Sequence, residues 1–286
     1  MRRIADADVF PIGLGAMGMS LDGRPEEERS IRTIHAALDA GVNLVDTADA
    51  YARDGTEIGH NERLVAKALQ GHRDGVIVAT KGGHTRDGAA WELDGTPVHL
   101  KAACEASLRA LGTDRIDLYH YHRPDPAVDY TESIGALREL RDEGKVRWIG
   151  ISNANLAQIE QAEGIVEIAA VQNQLSLEYP YPVERREVEH CERRGIAFLP
   201  WSPLGGIRRA ADAAGEQGPV RAAAEAHGVS PQRVALAWLL GLSPAVIPIS
   251  GSTRPESILD CVGAVELRLA PEELEAISAG AGLPRR

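Results

Sequence analysis

The chain has 286 residues, 44% hydrophobic and 26% charged, with a formal net charge of −11 at pH 7. That is an ordinary globular composition, and its acidic balance argues against a broad nucleic-acid footprint, which needs a basic surface. No apolar run approaches the ~18 residues of a membrane helix.

The start, MRRIADAD, lacks the apolar core of a signal peptide. The cysteines, Cys104, Cys191 and Cys261, lie far apart in stretches that read as helices. Reduced thiols in a cytoplasmic protein are expected from that spacing. One domain over residues 1–286 is expected, since no low-complexity tract or extended linker interrupts the pattern.

The first apolar run, FPIGLGAM, leads into G-x-G-x-x-G at Gly13–Gly18. A dinucleotide fingerprint needs a helix opening within the motif and an acidic residue about 20 positions on. Here helical periodicity begins only near Pro25, read as the first helical position ahead of three glutamates. The first acidic residue after the next strand is Asp46, too far along for the ribose. The glycines are therefore expected at a strand end, where the chain bends or approaches another backbone closely.

Seven more apolar runs follow: NLVDTA, VIVATKGG, IDLYHYH, VRWIGISN, AAVQNQLS, IAFLPWSP and AVIPISGS. Amphipathic patterns such as EEERSIRTIHAALDA, HLKAACEASLRALG, TESIGALRELRDEG and PVERREVEHCERRG separate them. Gly41, Gly71, Gly112, Gly144 and Gly195 stand where helices should end. Near-continuous apolar strands alternating with helices imply parallel pairing with both sheet faces covered. Eight such units predict a closed (β/α)₈ TIM barrel, with extra helices between strands 7 and 8 and at the C-terminus.

Chemistry in such barrels sits at the C-terminal strand ends. Strand 2 ends in Asp46, with Tyr51 in the loop after it; strand 3 ends in Lys81 and strand 4 in His122. A buried lysine is costly unless paired, and Asp46 on the neighbouring strand is its natural partner. An ammonium beside Tyr51 is expected to lower the phenol pKa towards the working range. His122 could donate to or orient a substrate oxygen. Together these groups suit a carbonyl becoming an alkoxide, with a hydride carrier supplying the reductant.

Two other readings draw on the same strand ends. His120 and His122, at i and i+2, face one side and could bind a metal, but strands 5, 6 and 8 offer no further His or Cys. A glycosidase needs two flanking carboxylates, and only Asp46 is evident.

The last two strands suit a phosphate-bearing cofactor. WSPLGG brings Trp201, Ser202, Pro203, Leu204 and Gly206; IPISGSTRPE brings Ile249, Gly251, Ser252 and Arg254. Arg254 could grip a second phosphate, which favours NADP over NAD. Trp201 could stack on a nicotinamide, while Ser152, Asn153 and Gln172 could hydrogen-bond its carboxamide.

The stretches GVNLVDTADAY, IVATKGG, DLYHYHRPDP, IGISN, VQN, LPWSPLGG and IPISGSTRPE resemble the aldo-keto reductase superfamily in content and order, over essentially the whole chain. The resemblance implies a barrel using NADPH without a Rossmann domain. It assigns Asp46, Tyr51, Lys81 and His122 as a catalytic tetrad, with Tyr51 the general acid. It places Ser152, Asn153 and Gln172 at the carboxamide and Trp201 under the nicotinamide ring. Ser202–Gly206 and Ile249–Arg254 fall on the phosphates.

This sequence departs from the family pattern on the last barrel helix. Asp260 and Cys261 stand where an acidic residue followed by Asn often reaches the adenine. A long tail over the mouth is not expected, so substrate selection is expected from GGHTRDGAAWELDG, with Trp91 as a wall. Pyridoxal-like aldehydes, sugars, keto esters and aromatic aldehydes all fit. The outer helix faces are too ordinary to indicate an oligomeric state. A regulatory barrel that couples NADP redox state to a partner protein is the alternative function.

Overall fold

Each of the eight apolar runs becomes a strand, and the strands join edge to edge. The computed structural model describes residues 1–206 and 218–284. The barrel strands are β3 (Gly13–Gly15), β4 (Leu44–Asp46), β5 (Ile77–Gly82), β8 (Ile116–Tyr121), β9 (Val146–Ser152), β10 (Ile168–Gln172), β11 (Ala197–Phe198) and β12 (Ile249–Gly251). Their sheet order is β11-β10-β9-β8-β5-β4-β3-β12, every pairing parallel. The open edges meet through a parallel bridge from Phe198 to Val246. The Ile247 amide donates to the Phe198 carbonyl at 2.8 Å and the Ile249 amide to Pro200 at 2.9 Å. The expected (β/α)₈ barrel is what forms.

Two apolar layers hold it. Every residue of β5 and of β10 is buried, as a parallel sheet covered on both faces requires. Outward-facing strand residues pack under α1 (Glu27–Asp39), α2 (His60–Ala68), α3 (Pro97–Leu111), α4 (Tyr130–Asp142) and α5 (Leu156–Glu163). Inward-facing Leu44, Ile77, Leu118, Trp148, Ala197 and Ile247 form a second cluster with Ile4 and Val9. Those last two come from a hairpin, β1 (Arg2–Ile4) and β2 (Ala7–Val9), that plugs the N-terminal end of the barrel.

The five helix-ending glycines all lie at positive φ, between 65° and 90°, a region where a Cβ is penalised. The first helix starts later than expected: Glu26 is its N-cap and Pro25 lies outside it. PVERREVEHCERRG is two helices, α6 (Tyr181–Glu184) and α7 (Glu187–Arg194), because Arg186 between them turns left-handed at φ 63°. A second hairpin, β6 (His84–Asp87) and β7 (Ala90–Leu93), occupies what reads as a loop. The additional helices are α8 (Gly218–His227) and α9 (Pro231–Leu242), before β12. After it come α10 (Pro255–Val262) and α11 (Pro271–Gly280), with Trp238 Nε1 donating to Ser278 Oγ to tie α11 to α9.

The glycines of GLGAMG fit first strand to last. A Cβ on Gly13 would lie 2.7 Å from Ile249 Cδ1, one on Gly15 3.1 Å from Ile249 Cγ2, and one on Gly18 3.2 Å from Thr253. Cys104, Cys191 and Cys261 are buried free thiols on α3, α7 and α10. Burial pushes the Cys104 thiol up to about 12. Among the described residues no helix is long and apolar enough to cross a membrane.

Candidate active site

Register places the chemistry. Asp46 pairs with Ala79 across β4 and β5, and Lys81, two residues on, shares the inward face of Ala79. Lys81 is fully buried. Its Nζ donates to Asp46 Oδ1 at 2.7 Å, to the Thr47 carbonyl at 2.8 Å and to Tyr51 Oη at 3.1 Å. An ammonium has three donors, so all of them are used. Burial opposes its charge, yet Asp46 and Tyr51 together hold its pKa above the ordinary lysine value.

The phenol behaves differently from the sequence expectation. Tyr51 is buried, and the loss of solvent raises its pKa by more than Lys81 lowers it. The carboxylates of Asp46 and Asp49 add to the rise. Tyr51 therefore keeps its proton above the usual tyrosine range. Because Lys81 donates to the phenol oxygen, the hydroxyl hydrogen is left to point elsewhere.

His122, at the end of β8, lies edge-on to the Tyr51 ring with centroids 5.7 Å apart. Burial, reinforced by the charges of Lys81 and Arg123 and by His84 and His120, drives its pKa well below the usual histidine value. It is a neutral imidazole. His120 sits one inward position deeper, its ring over Gly150, where a Cβ would come within 2.3 Å of Nδ1. Burial lowers the His120 pKa to about 3.

Around this mouth stands Trp91, expected as a wall, together with His84 and Arg86, which sequence reasoning left aside. His84 packs edge-on to His122 at 4.4 Å and to Trp91 at 5.4 Å, and Trp91 stands 6.3 Å from Tyr51. Arg86 stacks on the Trp91 ring at 4.2 Å. The signal was local: His84, Arg86 and Trp91 share one face of HTRDGAAWEL if Gly88-Ala89 is a two-residue hairpin loop.

The expected cofactor residues ring the same mouth, but several of their polar atoms are already engaged. Gln172 Nε2 donates to Asp46 Oδ2 at 2.7 Å. Ser152 Oγ donates to the Gln172 carbonyl at 2.6 Å, and Asn153 Nδ2 to the His122 carbonyl at 2.9 Å. Asn153 Nδ2 also donates to Ser152 Oγ at 3.1 Å, which leaves the Asn153 oxygen, and one N–H and the oxygen of Gln172, outside these bonds. Trp201 Nε1 is buried without a partner among the described residues.

Backbone after β11 turns left-handed at Ser202, Gly205 and Gly206, with φ of 49°, 82° and 98°, around Pro203 and Leu204. Ile249 and Gly251 bound β12, and buried Ser252 after it leads to Arg254, the N-cap of α10. Asp260 and Cys261 are both engaged within the protein. Asp260 accepts from Ser230 and from Arg233 Nη2 at 2.9 Å, and Cys261 Sγ accepts from Ser250 Oγ at 3.1 Å.

A closed parallel barrel with its ionisable groups gathered at the C-terminal mouth has the architecture of the (β/α)₈ enzymes. The Aldo/keto reductase family model matches residues 11–280. An uncharacterised oxidoreductase of Schizosaccharomyces pombe is 33% identical over 94% of this chain and 86% of its own. A probable aldo-keto reductase of Glycine max is 31% identical over 94% and 85%. The fold is similar to a thermostable aldo-keto reductase solved with the inhibitor epalrestat, with TM-score 0.83, 26% identity and 98% of each chain covered. It is likewise similar to an aldo/keto reductase from Klebsiella pneumoniae solved with NADP and acetate, with TM-score 0.82, 25% identity, and 99% and 95% covered. The chain belongs to the aldo/keto reductase family of oxidoreductases.

Proposed function

We propose that this protein reduces an aldehyde or ketone to the alcohol with NADPH, and that Tyr51 is the general acid. The observation that carries the reading is the Lys81–Tyr51 contact. A lysine whose three donors are spent on Asp46, Thr47 and Tyr51 fixes the phenol oxygen and frees its hydrogen for a substrate oxygen. Lys81 also stabilises the phenolate left when that proton has gone. His122, neutral at the working pH, donates a second hydrogen bond to the developing alkoxide, as an oxyanion site requires. Asp46 holds Lys81 charged and in place.

NADP is the cofactor this site suits, as bound in the Klebsiella pneumoniae relative. The Arg254 side chain has no hydrogen bond or ion pair among the described residues, and the residue is the N-cap of α10, which suits a phosphate. The left-handed turns at Ser202, Gly205 and Gly206 suit backbone that gathers N–H groups around an anion. Ser152, Asn153 and Gln172 would hold the carboxamide, and Trp201 the ring. Ser202–Gly206 with Ile249, Gly251, Ser252 and Arg254 would hold the phosphates. When bound, the dihydronicotinamide supplies the hydride.

The test is loss of NADPH absorbance with a panel of aromatic, keto-ester and sugar carbonyls, repeated with NADH. Turnover with at least one class, faster with NADPH, is expected. Tight NADPH binding with no turnover across the panel would favour the regulatory barrel instead.

A further inference from the structure

One side chain joins the loop that carries Tyr51 to the hairpin that walls the mouth. From β6, Arg86 Nη1 donates to the Ala52 carbonyl at 2.9 Å and more weakly to Ala50 at 3.4 Å. Its Nη2 donates to the Arg53 carbonyl at 2.7 Å and to Ala89, in the hairpin's own turn, at 3.0 Å. Three of the four acceptors therefore flank Tyr51. Ala50 and Ala52 are fully buried, and buried carbonyls need donors; the Ala50 carbonyl also accepts from the Ala52 amide at 2.9 Å, whereas the donor given to the Ala52 carbonyl is Arg86. The other side of the same guanidinium lies on Trp91.

A second contact ties the same two segments without the side chain. The Gly55 amide donates to the Gly88 carbonyl at 3.0 Å. A Cβ on Gly55 would lie 2.6 Å from the backbone oxygen of Arg86. The two chains touch at a point where only glycine fits.

We propose that Arg86 is a positioning residue that locks the Tyr51 loop and the His84–Trp91 hairpin into one unit. The proton donor and the substrate wall are thereby kept in fixed register. Only a planar fork can serve these carbonyls at once while stacking on an indole. A lysine has three donors on one nitrogen and cannot span them. The catalytic consequence rests on Tyr51 as the acid; the clasp itself does not.

Hydrogen exchange on the cofactor-free protein tests the clasp directly. In Arg86→Lys, residues 48–58 and 84–93 should both exchange at least about tenfold faster, while β8 and β10 keep wild-type rates. Wild-type protection of 48–58 in that variant would overturn the proposal. Steady-state kinetics read the consequence: kcat should fall at least about tenfold, with NADPH affinity within about twofold. A rise in KM alone, with kcat unchanged, would overturn the positioning role and leave Arg86 as a wall contact.

Should Arg86→Lys fold poorly, Gly55→Ala wedges the same two segments apart and should loosen both together. Loosening of only one would overturn the clasp. A wild-type protein inactive on every carbonyl would sink the proposed function, while the exchange result would still decide the clasp.

Discussion

Gln172 and Lys81 divide the carboxylate of Asp46 between them, the amide nitrogen on Oδ2 and the ammonium on Oδ1, each at 2.7 Å. The glutamine on β10 thus reaches across the barrel to fix the partner of Lys81. One of its two N–H groups is committed to Asp46, which leaves the other N–H and the amide oxygen outside that bond.

Removing that amide strands a buried carboxylate oxygen. Gln172→Leu is expected to lower stability by about 1–3 kcal/mol and to weaken NADPH binding as well. Urea unfolding and a cofactor titration check the two effects separately. Weakened binding at unchanged stability would mean that Gln172 serves the cofactor alone.

The Lys81–Asp46 pair is buried on both sides, with side-chain exposures of 0% and 6%. Breaking it from either side leaves an uncompensated charge, a loss of about 3–5 kcal/mol. Lys81→Met and Asp46→Asn should each destabilise the fold strongly. The double variant should cost clearly less than their sum, because neither charge is then left alone. Additive losses in urea unfolding would show that the two residues do not act as a pair.

His120 ties stability to pH. The unfolded chain takes up a proton near the ordinary 6.5, whereas burial holds the folded value down at about 3. Between those values the unfolded state binds more protons, so stability is full above the upper value and falls as pH drops through the window. The buried His122 acts in the same direction. His120→Gln should therefore lose less stability than wild type between about pH 7.5 and about 5. Parallel urea midpoints for the two proteins would remove His120 from the account.

The barrel was legible because its signals are local. Fully buried parallel strands read as unbroken apolar runs, and left-handed helix ends read as glycines. Asp46, Lys81 and His122 were legible as polar breaks in those runs, and Tyr51 by its place in the loop after Asp46. What escaped depends on contacts between distant segments. The plugging hairpin has strands of three residues in which only Ile4 and Val9 are buried, too short for an alternation to register. The direction of the Tyr51 pKa needed the burial of the ring weighed against one nearby ammonium. The purpose of Gly13, Gly15 and Gly18 became visible only with Ile249 and Thr253 beside them. Arg86 looked like loop charge, since nothing in HTRDG announces that its partners are carbonyls more than thirty residues earlier.

The most direct test of the account compares wild type with Tyr51→Phe, which keeps the ring and removes only the hydroxyl. NADPH oxidation with an activated aromatic aldehyde and NADPH affinity should be measured on both. Loss of the positioned proton donor should lower turnover by about 10²–10⁴-fold, with NADPH affinity within about twofold of wild type. Equal turnover in the two proteins would contradict the assignment of Tyr51 as the acid.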